Sequence, residues 1–324
     1  MTNLIDDGQP IRITVPALRG DKSGYKWMFY LIAEVVRNPK RGFFVDFRHC
    51  SKMDYGIIAL FGALAKYVDF INGNSRRGIG RFFNTNGVRF LEKTMSPLIG
   101  KSLMENNFLS HFSYQDNQSV SGGSYIGYRE HDNFLDPDEI IFHLENNWLS
   151  DDRVILATDL KNDIVSHVYE VFANAYGHGL RDNGMGAVSC GEYNIKKKEL
   201  RLCVVDFGAG VSDMVKSFID EGLSDTEAMR WALSRGHSTH TDSMVSGLPR
   251  GLGFHLLKDY FKRRYGSIAI YSNGCYALAD GGEYEVASIG GVRFKGTLVD
   301  IKINYSASSG LRKGGSNQDV PAFF

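Results

Sequence analysis

The sequence predicts an α/β protein, shading into α+β in its second half, on three observations. Short β-like runs alternate with amphipathic helical runs through the first hundred residues, the pattern of strands covered by helices. Beyond residue 136, helical patterns give way to strands joined by short turns. The 324 residues exceed the roughly 100 to 200 that one domain usually holds, so two domains are expected.

The elements follow in order. IRITVP (11–16) reads as a strand, WMFYLIAEVVR (27–37) as a helix, GFFVDF (42–47) as a buried strand and IIALFGALAKYVDFI (57–71) as a second helix. A strand near 80–84 and a helix from about Val88 to Leu98 complete a first unit, residues 1–105. YQDNQSVSGGSY (114–125) is polar and rich in Gly and Ser, so residues 106–135 are expected to be a linker. DPDEIIFHLENNWL (136–149) places Asp136 and Pro137 where a helix start wants them and opens a second unit, residues 136–305. A longer helix is expected from Asn162 to Gly177 or Gly179, then an antiparallel pair, 186–195 and 199–208, around the solvated turn Lys196–Lys198. A glycine turn feeds a helix over 250–266, and SIAIYSN, YEVASI and GTLVDIKINY supply closing strands. The Ser- and Gly-rich tail, 306–324, is expected to be disordered.

Composition excludes several classes. Lys plus Arg and Asp plus Glu both total 37, so bulk charge does not point to nucleic acid. Cys50, Cys190, Cys203 and Cys275 form no CxxC pair, which leaves neither a zinc ribbon nor a disulfide framework legible and suits a reducing compartment. The N-terminus lacks a basic and apolar leader, and no stretch reaches the roughly 18 to 20 apolar residues of a membrane span, so a cytoplasmic protein without membrane contact is expected. Gly is in excess, at 36 residues, and its clusters direct attention to three segments.

In the first, EVFANAYGHG, Glu170 and Asn174 stand four apart and share one helix face. A carboxylate there can orient and deprotonate an attacking hydroxyl or water, and an amide oxygen suits Mg²⁺ already bridged by phosphates. The plain alternative is the polar stripe of an amphipathic helix. In the second, VVDFGAGV, Asp206 follows an apolar strand and Gly208 and Gly210 permit a sharp turn. A buried carboxylate accepts a hydrogen bond from an exocyclic amine such as that of adenine and rejects a carbonyl there, although Asp-x-Gly-x-Gly can also be only a turn. In the third, GLPRGLGFHLL, Gly247, Gly251 and Gly253 precede a helix whose N–H groups can meet phosphates, with Arg250 adding positive charge; a simple helix start reads the same way.

Taken in order, Glu170-xxx-Asn174, Asp206-x-Gly208-x-Gly210, Gly251-Leu252-Gly253 and Gly296-Thr297 resemble the N, first glycine, second glycine and Gly-Thr elements of the GHKL superfamily of ATPases and kinases. The resemblance spans roughly residues 138–305 and implies a two-layer α/β sandwich with a mixed sheet, ATP and Mg²⁺ as cofactors, and a mobile lid between Val211 and Pro249. It implies that Asp206 reads the adenine amine with Thr297 in support through water, that Asn174 holds Mg²⁺, and that residues 251–253 cradle phosphates. The spelling of the first segment, His178 included, is most similar to anti-sigma-factor serine kinases, which implies Glu170 as catalytic base, a serine phosphoacceptor protein or other protein partner, and room for a homodimer. The same position serves water activation in gyrase-type relatives, so kinase and slow ATPase both stand, beside a non-catalytic ATP-gated interaction module.

No helical hairpin carries a phosphoacceptor histidine; His143 and His167 are the nearest and read better as core or surface residues. The first unit, through GFFVDFRHCSKMDYGIIALFGALAKYVD, resembles STAS domains on Asp46, Asp54, Gly56 and the following helix. It departs from the antagonists among them in having Tyr55, not serine, in the turn, with Ser51 misplaced; a fixed regulatory or docking role is therefore expected. His237 and His240 lack a third metal ligand, and the aromatic and basic run 260–265 reads as a helix end more readily than as a nucleic-acid contact.

Overall fold

A computed structural model describes residues 10–73, 87–112, 125–151, 154, 156–176, 185–234, 258 and 266–305. The chain is an α/β protein with an N-terminal three-stranded parallel sheet and a seven-stranded antiparallel sheet, both packed with helices.

In the first unit β1 (Ile11–Thr14), β2 (Gly42–Asp46) and β3 (Gly87–Leu91) lie side by side in that order, all parallel. Parallel neighbours need crossovers, and α1 (Lys22–Arg37) and α2 (Tyr55–Ile71) provide them. Asp21 caps α1 by accepting from the N–H groups of Ser23 and Gly24, and Tyr25, Met28, Phe29, Ile32 and Val35 form its buried stripe. From Tyr55 to Ala65 every residue of α2 is buried. A helix apolar all round must be covered on all sides, and α2 meets β3 of the first sheet as well as two strands of the second.

The expected helix from Val88 to Leu98 is a correction: GVRFL is β3, a 3₁₀ turn follows at Glu92–Thr94, and α3 (Pro97–Glu105) begins only where Ser96 caps it ahead of Pro97. Branched and aromatic residues beside an unpaired parallel edge outweighed the helical spacing. The strand expected near 80–84 and the loop before Tyr125 lie outside the described residues.

Within residues 106–135 lie α4 (Phe108–Phe112) and β4 (Tyr125–Glu130). The latter is the edge of the second sheet, ordered β4-β5-β6-β10-β7-β8-β9, with β5 (Val188–Asn194), β6 (Glu199–Asp206), β7 (Ser267–Asn273), β8 (Cys275–Asp280), β9 (Glu285–Ser288) and β10 (Phe294–Asn304). The sheet was expected to be mixed, yet every described pairing in it is antiparallel. Tight turns make β5–β6 and β7–β8 hairpins, and β10 inserts between β6 and β7, separating two strands that run in the same direction.

Helices α1 and α2 cover one face of this sheet, joining both units in one continuous core. On the other face lie α5 (Pro137–His143), α6 (Thr158–Asn174), α7 (Val211–Phe218) and α8 (Asp225–Leu233). Asp136 caps α5 as its sequence predicts, and the helix widens into a π turn at Leu144–Trp148. Among the described residues no helix is long and apolar enough to cross a membrane.

Candidate functional site

Asp206 ends β6, and Thr297 stands opposite it in the register of β10. Between Phe294 and Thr297 the pairing slips, a bulge that re-aims the side chain following it. Gly296 makes the bulge possible: its φ is 141°, and a Cβ there would stand 2.2 Å from the Asp206 carbonyl oxygen. Asp206 is 3% exposed, and its Oδ1 accepts the Gly208 N–H at 2.8 Å. Loss of water pushes its carboxyl up to about 7, against the opposing pull of hydrogen bonds from Gly208 and from the hydroxyl and N–H of Thr297. In its ionised form this buried acid has acceptor capacity beyond its bonds to Gly208 and Thr297.

Beyond Gly208 the loop is held from below. Gly210 has φ 84°, and a Cβ there would stand 2.6 Å from Oδ1 of Asn273. Ser272 Oγ accepts the Val211 N–H at 2.8 Å and Asn273 Oδ1 accepts that of Ser212 at 2.9 Å, so two residues at the end of β7 cap α7. Gly210 is thus required by close packing whether or not a ligand lies over the loop. Sequence reasoning missed Ser272 and Asn273; the Asn-Gly pair at 273–274, a turn signal that closes the β7–β8 hairpin, was the available sign.

On α6, Leu160, Ile164, Val165, Val168, Val171 and Phe172 are buried, while Glu170 is exposed and Asn174 half-buried. Both lie on a helix covering the face to which Asp206 belongs, since Phe172 meets His131, which bonds Ser189, a register neighbour of Val204. His178, Arg250, Gly251, Leu252 and Gly253 lie outside the described residues, as do His237, His240 and the run 260–265. The lid was expected somewhere between Val211 and Pro249. Residues Val211–Leu233 form α7 and α8, with Val215, Ala228 and Met229 buried and Ser224 and Glu227 making a capping box; the rest of that interval, 235–249, is not described.

A second polar cluster sits under α5. Glu139 Oε1 lies 3.4 Å from His131 Nδ1, His131 Nε2 is 2.9 Å from Ser189 Oγ, Ser189 Oγ is 3.3 Å from His143 Nε2, and the Asn147 amide is 3.3 Å from His143 Nδ1. With the His131 proton on Nδ1, beside the Glu139 carboxylate but not in hydrogen-bond geometry with it, one proton order fits the rest of the row: Ser189 donates to His131, His143 to Ser189 and Asn147 to His143. His131 and His143 are each 2% exposed and Ser189 is fully buried, so the triad-like geometry has no access for a substrate and serves packing. His167 is also spent locally, its Nδ1 lying 2.7 Å from the Asp163 carbonyl oxygen.

Among the described residues no three His, Cys, Asp or Glu side chains gather to hold a metal, and all four cysteines are free and buried. An open cleft of about 450 Å³ beside the start of α1, lined by Arg19, Asp21 and Trp27, contains none of the expected site residues.

No protein-family model and no curated protein matches the chain. The class is therefore defined by architecture: an N-terminal parallel α/β sheet and a C-terminal antiparallel sheet with helices.

Proposed function

We propose that the protein is an ATP- and Mg²⁺-binding regulatory protein whose second unit is a GHKL-type nucleotide site and whose first unit is STAS-like. The Asp206–Thr297 pair carries the reading. A carboxylate and a hydroxyl meet at the ends of adjacent strands, and the carboxyl is desolvated enough to discriminate an exocyclic amine from a carbonyl. Glu170 is the catalytic base and Asn174 the Mg²⁺ ligand, four residues apart on α6; His178, Arg250 and residues 251–253 meet the phosphates.

The reaction is phosphoryl transfer to a serine or threonine of a partner protein, or slow hydrolysis as a switch. Such chemistry is mostly positioning and charge neutralisation, which an exposed base on a rigid helix can serve. A second reading, an ATP-gated interaction module without turnover, is favoured by the direct packing of α2 on Phe207, the residue after Asp206, and of α1 on Phe294 of β10. Radiolabelled ATP, with and without proteins captured from the native host, separates these readings. Label transfer or phosphate release supports the enzyme, intact binding with neither supports the module, and no binding of ATP defeats both.

A further inference from the structure

Successive residues of a strand point to opposite faces, so Asp206 and Phe207 form a lever across the sheet. Asp206 faces the α6 side, while Phe207 is buried against the first unit and stacks on Tyr67 of α2, with centroids 4.9 Å apart and planes at 23°. Phe207 also meets Phe294 edge-on at 5.3 Å, and Phe294 stacks on Phe29 of α1 at 4.7 Å and 9°. Phe207 is adjacent to Asp206, and Phe294 begins the bulge that aims Thr297. The four rings Tyr67–Phe207–Phe294–Phe29 therefore hold both halves of the base-reading pair from behind, one end gripped by α2 and the other by α1.

We infer that Tyr67 and Phe29 are positioning residues for the Asp206–Thr297 pair, so that the seating of α1 and α2 sets nucleotide affinity. The inference rests on the nucleotide reading above and adds the route by which the first unit regulates that site. Stacked and edge-on ring pairs have preferred geometries, which makes the row directional where aliphatic packing would tolerate sliding. Coupling of this kind is established only by a shift that both sites feel, which a perturbation at Tyr67 supplies without touching the site.

The test uses the full chain with Tyr67→Ala and Tyr67→Phe. Hydrogen exchange is followed without nucleotide over 204–211 and 294–299, with β8–β9 as reference. Tyr67→Ala is expected to speed exchange in both segments about three- to tenfold, the worth of one ring pair, while leaving β8–β9 unchanged and being rescued by Tyr67→Phe. Calorimetry is expected to show a similar loss of ATP affinity and unchanged affinity for inorganic tripolyphosphate, which lacks the base. Unchanged exchange overturns the inference whether or not ATP binds. Altered exchange with unaltered ATP affinity overturns the regulatory step. Altered exchange with no ATP binding by the wild type defeats the nucleotide reading itself and the regulation built on it. If Tyr67→Ala unfolds globally, Tyr67→Leu, which keeps apolar bulk without the ring, is read by the same criteria.

Discussion

Tyr55, the first residue of α2, donates its hydroxyl to Oδ1 of Asp300 in the middle of β10. Tyr25 from α1 donates to the other carboxylate oxygen at 2.7 Å, so one acid of the second sheet is bound by both α1 and α2. Loss of water raises the Asp300 carboxyl above its usual range, and the two hydroxyls oppose that rise. The tyrosine that replaces the expected serine in the Asp54-Tyr55-Gly56 turn is thus a clasp to the second sheet and is only 3% exposed.

Removing one donor from such an acid leaves a charged oxygen unmatched. Tyr55→Phe is expected to destabilise the protein by about 1 to 3 kcal/mol, the range for a buried polar atom left without its partner. The cost should shrink in an Asp300→Asn background, where no charge is stranded. Urea denaturation of the four proteins in that cycle measures the coupling, and equal costs in both backgrounds would remove the clasp as a joint interaction.

Asp206 sets stability against binding. In the fold its carboxyl keeps its proton to about pH 7, while the unfolded chain loses it near the ordinary 3.8. Between those values only the unfolded state releases the proton, so stability falls as pH rises from about 4 to 7 and does not recover above that. A shift of that size corresponds to about 4 kcal/mol, to order of magnitude. Asp206→Asn, which still accepts from Gly208, should therefore raise the melting temperature at pH 8 and change it little at pH 4. The same substitution, which puts a neutral amide oxygen in place of the charged acceptor, should weaken ATP binding, and Asp206→Ala should weaken it by about 1 to 3 kcal/mol. Since an amine donor needs the ionised acid, wild-type affinity should rise between pH 6 and 8 with proton release on binding. A flat calorimetric pH profile would count against the adenine assignment.

The Glu139–His131–Ser189–His143–Asn147 row makes the second unit acid-labile. Burial lowers the His131 pKa, with Arg129 and Lys66 adding to the effect and Glu139 opposing it. Burial lowers that of His143 further, with His131 and Arg129 contributing. Both imidazoles are neutral in the fold, so below about pH 6.5 the unfolded chain takes up protons that the folded chain refuses, and stability present at neutral pH is lost as pH falls. His143→Gln, which keeps an amide able to donate to Ser189, should flatten the melting-temperature profile between pH 7 and 5. If the variant tracks the wild type through that interval, the row is not the acid-sensitive element.

Local signals carried most of the secondary structure. The Asp136 cap, the apolar stripe of α1 and the hairpin around Lys196–Lys198 are written in neighbouring residues, whereas α1 starts ahead of the expected residue 27, at a cap on Asp21 that the spacing of its apolar residues did not reveal. That Asp206 and Thr297 belong together was implied by the family resemblance alone, and the register sets them opposite each other on β6 and β10. What depended on distant partners was not legible. GVRFL is ambiguous until β2 lies beside it, and nothing near Tyr55 or Tyr67 in sequence announces Asp300 or Phe207. Gly210 also answers to Asn273, sixty-three residues downstream, a packing reason that its own sequence neighbourhood does not show.

Glu170 and Asn174 can be separated by what each substitution leaves intact. Glu170 is exposed on α6 and its neighbours toward the sheet, Val171 and Phe172, carry the packing, so Glu170→Ala should fold normally. As a base it acts only in the transition state, so ATP affinity should stay within about twofold while phosphoryl transfer or hydrolysis falls by about 10² or more. Asn174 offers a neutral oxygen, and its loss should appear as a shift of the Mg²⁺ titration of ATP binding to higher metal with little change in metal-free binding. The contrast is diagnostic because a purely structural polar stripe would make both variants behave alike. Turnover that survives Glu170→Ala puts the base elsewhere, and a metal titration unmoved by Asn174→Ala removes that residue from the metal.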